Sequence, residues 1–62
     1  MNIKKVMQAK TEAEARQYAI DWQNWVSQRP MSYREMHNWN IVFDALASKF
    51  DLKEEFQENG II

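Results

Sequence analysis

The sequence predicts a mainly α-helical fold. It reads as an antiparallel helical hairpin over about 12–28 and 33–50, a short C-terminal helix over about 52–58, and an extended N-terminal segment, 2–8, whose residues also suit a β-strand. Three observations carry this prediction. A capping signature of the form Ser/Thr-x-x-Glu opens each long segment, apolar residues recur behind each signature at helical spacing, and the only proline stands between them.

Taken in order, residues 2–8 hold β-branched Ile3 and Val6 without a clean alternation of polar and apolar positions. An extended strand there could not satisfy its own backbone, so it would need Gly60-Ile61-Ile62 or a second chain beside it. Thr11-Glu12-Ala13-Glu14 then marks a helix start, because the threonine hydroxyl and the Glu14 carboxylate can each accept from an otherwise free amide. Ala15, Tyr18, Ala19, Trp22, Trp25 and Val26 follow within one apolar stripe, and Pro30 ends the helix by pushing the residue before it out of helical geometry.

Ser32-Tyr33-Arg34-Glu35 repeats the signature, and Met36, Trp39, Phe43, Leu46 and Phe50 continue at alternating steps of three and four. The short connection from Gln28 to Met31 turns this stripe back on the first, with Trp22, Trp39 and Phe43 as the expected central contact. Asp51-Leu52-Lys53-Glu54 is a third capping signal. Leu52 and Phe56 supply a brief apolar face behind it, and Asn59-Gly60 stops the helix.

A chain of 62 residues has room for one domain, 1–62, and one of this size buries roughly 60% of the surface its unfolded form exposes. Marginal burial makes self-association an expectation from size alone. With no cysteine, neither a disulfide nor a thiolate metal site can supplement the core. Lys4-Lys5 is followed by no apolar run of the kind a secretory signal carries, and no stretch approaches the ~20 apolar residues of a membrane span. The expected location is the cytoplasm.

The net charge of −1 conceals an asymmetry. Lys4, Lys5, Lys10 and Arg16 against Glu12 and Glu14 leave residues 1–16 at +2, whereas Asp51, Glu54, Glu55 and Glu58 against Lys53 leave residues 51–62 at −3. Neither end is charged strongly enough to name a polyanionic or polycationic partner.

Catalytic constellations fare poorly. His37, Asp44 and Ser48 share a helix face, but residues seven apart lie ~10 Å apart along the axis, whereas triad partners need hydrogen-bond reach. They read as a solvated polar face. His37 has no carboxylate or second histidine three or four residues away, so a transition-metal site is not expected. Asp51, Glu54, Glu55 and Glu58 lack the spacing and central glycine of a calcium loop, and Gly60, the sole glycine, cannot build a phosphate-binding loop. No enzyme activity and no cofactor are expected.

Nucleic-acid binding is the alternative reading. Three tryptophans could stack on bases, and Lys4, Lys5 and Lys10 form a candidate basic arm. Against it, Trp22, Trp25 and Trp39 fall on the apolar stripes, and the other basic residues are interleaved with acids. Ile20 and Ile41 fit neither stripe. They are either single exposed isoleucines, one of them covering the N-terminal segment, or parts of a surface buried against another protein.

Trp22-Gln23-Asn24-Trp25, Ser32-Tyr33, Trp39 and the ending Glu55-Phe56-Gln57-Glu58-Asn59-Gly60-Ile61-Ile62 together resemble small, functionally uncharacterised proteins encoded by phages and prophages of low-GC Gram-positive bacteria. The resemblance spans most of the chain and implies a cytoplasmic protein made in an infected or lysogenic cell. It carries over no catalytic or binding residue. The expectation is therefore a non-enzymatic accessory protein acting as a protein-interaction module on a host or phage protein, or on itself as a homodimer. The alternative is a small nucleic-acid-binding or transcription-regulating protein.

Overall fold

A computed structural model describes all 62 residues, as four α-helices and no strand: α1 (Ile3–Met7), α2 (Glu12–Ser27), α3 (Tyr33–Phe50) and α4 (Lys53–Glu58). The fold is mainly α, as the spacing of capping and apolar residues predicts.

The N-terminal segment corrects the extended expectation. The Asn2 carboxamide accepts from the Lys4 and Lys5 amides at 2.9 and 3.4 Å, and the Val6 amide donates to the Asn2 carbonyl at 3.1 Å. Local bonds thus satisfy the backbone that a strand would have left open. Val6 and Ala9 are then buried, and Lys49 Nζ of α3 reaches the Ala9 carbonyl at 3.5 Å. Nor do Ile61 and Ile62 offer a strand, since both their amides donate to the Phe56 carbonyl, at 2.8 and 3.4 Å.

Both long helices start at the expected residues. Thr11 Oγ1 accepts from the Glu14 amide at 3.1 Å, and Ser32 Oγ accepts from the Glu35 amide at 3.2 Å. The reciprocal half of the first capping box is displaced by one residue, because the Glu14 carboxylate takes the Lys10 amide at 2.7 Å.

Asp51 does not cap α4 from its N-terminal side. It closes α3 instead, in the left-handed conformation at φ 57° and ψ 46°, and the next amide, Leu52, donates back to the Ala47 carbonyl at 2.8 Å. This backward bond satisfies a terminal carbonyl while Leu52 and Ala47 are both buried, the hydrophobic contact typical of such an end. Helix α4 consequently starts at Lys53, preceded by Leu52, which supplies no side-chain cap. Its C-terminus uses the same device: Gly60 is left-handed at φ 73°, and the next amide, Ile61, donates back to the Phe56 carbonyl at 2.8 Å, with Ile61 and Phe56 both buried. A left-handed non-glycine residue costs ~1–2 kcal/mol, less for aspartate. Asp51→Gly should therefore hold or raise the melting temperature, whereas Asp51→Val should lower it by several degrees. Equal effects of the two in thermal denaturation would show that backbone conformation is not what limits this site.

One cluster of 13 buried residues forms the core, and none of them is polar or charged. Helix α3 is its centre, contributing Trp39, Val42, Phe43, Leu46 and Ala47. Val42 and Ala47 widen the stripe beyond its predicted members, and Met36 lies at its exposed edge. Phe43 packs edge-on to Trp22 with ring centroids 5.2 Å apart and to Phe56 at 6.0 Å, and stacks with Trp39 at 5.8 Å. Trp22 Nε1 is buried among these rings without a hydrogen-bond partner.

Candidate functional site

Helix α4 meets α2 through polar contacts above an apolar floor. Phe56, held in the core by its contact with Phe43, and Ile61, turned inward by the Gly60 end, fix one wall. Ala19 of α2 supplies the other. Between them lies an open groove of about 270 Å³, flanked by Ile20. At 51% exposed, Ile20 is half in contact with the protein and half open to solvent.

Two bonds tie the groove across its rim. At one end, the Arg16 guanidinium donates to Glu55 through Nε at 2.8 Å and to Glu12 through Nη2 at 2.6 Å. At the other, Gln23 Nε2 donates to the Asn59 carbonyl at 2.7 Å. The hydrogen bond to Glu55, with the charge of Glu12 close by, raises the Arg16 pKa above its ordinary value, so this bridge keeps its cation at any working pH. Both ion pairs of the molecule belong to Arg16, and both are exposed, where such pairs contribute little stability, ~0–1 kcal/mol each. Only the Glu55 pair joins α2 to α4; the Glu12 pair lies within α2 and orients the guanidinium toward it.

The structure separates the two isoleucines that the sequence singled out. Ile41, 57% exposed, stands outside the groove on the open face of α3, so the two do not line a common pocket. His37, Asp44 and Ser48 occupy that same open face, and no side-chain hydrogen bond connects any two of them. His37 lines an open depression of about 260 Å³ formed by α3 residues alone, with Tyr33, Met36 and Asn40. No group of three or more potential ligands converges on a metal position. Of the acidic residues near the C-terminus, Glu55 alone is engaged in an ion pair.

Lys4, Lys5 and Lys10 are exposed, and none of their ammonium groups is paired with a carboxylate. Beside them lies a feature that sequence reasoning missed: Met1, Ile3 and Met7 are all exposed. Ile3 and Met7 stand four residues apart on α1 and so share a face, with Lys4 next to them. The Asn2 cap was the one available signal, since it converts a segment read as extended into a helix with a sided surface. The tryptophans offer no open stacking platform. Trp22 and Trp39 are each only 4% exposed, and Trp25 lies partly buried beneath the Arg29 guanidinium, 4.5 Å from its ring centroid. No helix is long and apolar enough to cross a membrane. No family model matches the chain, and no curated protein and no solved structure matches it either.

Proposed function

We propose that this chain is a non-enzymatic protein-interaction module, with α2 and α3 as an antiparallel hairpin that presents the α2–α4 groove to a partner. The observation that carries this reading is Ile20. A large aliphatic side chain, half exposed, stands at the edge of a groove with an apolar floor and a braced polar rim. Protein contacts have this anatomy on a small scale, an apolar centre within polar surroundings. The sequence resemblance suggests the setting, the cytoplasm of a cell carrying a phage or prophage, and makes a host or phage protein the partner.

Affinity capture from a host lysate tests the reading, with native chain and Ile20→Lys chain immobilised in parallel. Because Ile20 is outside the core, the variant should keep a native helical spectrum. It should bind the captured partner about tenfold or more weaker, an effect of ~1.4 kcal/mol, in line with losing one aliphatic contact. A folded variant that retrieves every partner at native strength removes the groove from consideration.

The alternative, nucleic-acid binding, rests on the unpaired ammonium groups of Lys4, Lys5 and Lys10. Three phosphate contacts would give log K a slope of about −3 against log salt on duplex DNA. Binding of a labelled duplex with that slope, abolished by replacing the three lysines, would favour this alternative over the groove.

A further inference from the structure

The two ends of the molecule complement each other but do not meet within one chain. Helix α1 exposes Ile3 and Met7 on one face with Lys4 on its flank, and Lys4 has no ion-pair partner. The α2–α4 groove exposes Ile20 over an apolar floor, and α4 carries Glu54 and Glu58, whose carboxylates are equally unpaired. Glu58 sits three residues beyond Glu55 on α4, next to Asn59 of the groove but outside its lining.

We propose that the occupant of the groove is the N-terminal arm of a second copy of this chain: α1 of one molecule seats against α2 and α4 of the next. A groove of about 270 Å³ accepts a side chain the size of methionine. Met7 is suited to it, because an unbranched, polarisable thioether adapts to an irregular apolar surface. Lys4, on the flank of that face, then approaches the Glu54 and Glu58 carboxylates. Exposed pairs of this kind contribute little affinity but set orientation and exclude like-charged partners. The contact joins two different surfaces, so it is head-to-tail. It leaves a free arm at one end and a free groove at the other, and it grows into a chain of copies unless the rotation closes a ring. A two-fold homodimer, in which one surface pairs with itself, is a different arrangement. A short helix in a small groove makes an interface at the low end of the size range, hence a weak one.

The inference rests on reading the α2–α4 groove as a docking surface, and sedimentation velocity with two complementary variants tests it. Over roughly 10 µM to 1 mM, the native chain should show an average mass that rises steadily without a dimer plateau. It should associate at least about threefold more weakly when salt is raised so that the Debye length falls from ~10 Å to ~3 Å. Ile20→Lys removes the groove contact, and the double change Lys4→Glu, Met7→Glu removes the arm. All three positions are exposed, and circular dichroism checks that each variant is folded. Each variant alone should be monomeric. Mixed in equal amounts they should form a one-to-one pair that grows no further, because only one competent arm and one competent groove remain.

A mixture that stays monomeric, or a variant that associates alone as strongly as the native chain, overturns the proposal. So does a native chain that is monomeric throughout. If that monomer sediments with phosphatidylglycerol vesicles through its arm, the arm's partner is an anionic lipid surface instead. If instead its Ile20-dependent capture of a host protein persists, this inference falls and the groove reading stands.

Discussion

The Phe43→Ala chain is expected to be largely unfolded at 25 °C. Phe43 is fully buried and contacts rings from all sides of the core: Trp22 of α2, Trp39 of its own helix and Phe56 of α4, with centroids 5.2, 5.8 and 6.0 Å away. Truncating a buried phenylalanine costs ~3–5 kcal/mol through lost transfer energy and the cavity left behind. The loss of three aromatic pairings places Phe43 at the upper end of that range. At ~0.05–0.15 kcal/mol per residue, a chain of 62 residues has roughly 3–9 kcal/mol in total. The deficit therefore rivals everything the fold has. Urea denaturation followed by tryptophan fluorescence and by circular dichroism reads the result directly. A cooperative transition with a midpoint near the native one would mean that the core tolerates the void, and that Phe43 is not its centre.

What the sequence shows and what it hides follows from the range of the interactions involved. Thr11, Ser32 and Pro30 act on amides within three residues, so both long helices are legible to within a residue or two. Trp22, Trp39 and Phe43 repeat at helical spacing, so their burial is legible too. Residues 2–8 mislead because Ile3 and Val6 are β-branched, which suggests extension. The Asn2 cap and the burial of Val6 and Ala9 against the rest of the core outweigh that preference. Asp51 misleads for a related reason: an aspartate before Leu52-Lys53-Glu54 has the form of an N-cap, yet aspartate also tolerates the left-handed geometry that ends α3.

The groove was not legible at all. Its defining contacts join Arg16 to Glu55 and Gln23 to Asn59, 39 and 36 residues apart, and no local pattern encodes pairs at that separation. Ile20 was visible as an apolar misfit on its helix, but the α4 wall that turns it into the edge of a concave surface was not. Ile41 was an equal misfit in the sequence, and the fold gives it no groove.

Phe56→Ala should separate the stability of the core from the integrity of the groove. Helix α4 has six residues and starts without a side-chain cap, so it cannot persist alone; isolated helices shorter than ~12–15 residues are marginal in water. It stays in place through Leu52, Phe56 and Ile61, of which Phe56 is the largest and packs directly on Phe43. The bridges from Arg16 to Glu55 and from Gln23 to the Asn59 carbonyl are exposed and too weak to hold the helix in its absence. Removing the Phe56 ring should thus cost ~3–5 kcal/mol. Part of that cost is avoided by letting α4 detach while α2 and α3 remain packed through Trp22 and Trp39. The expected signature in amide hydrogen exchange is loss of protection at Phe56, Asn59, Gly60 and Ile61, whose amides donate to carbonyls from residues 52 to 57, with slower exchange retained along α3. Binding at the groove should vanish with it. Uniform loss of protection across α3 and α4 would mean instead that the short helix is an inseparable part of the fold, and that no groove can be removed without unfolding the chain.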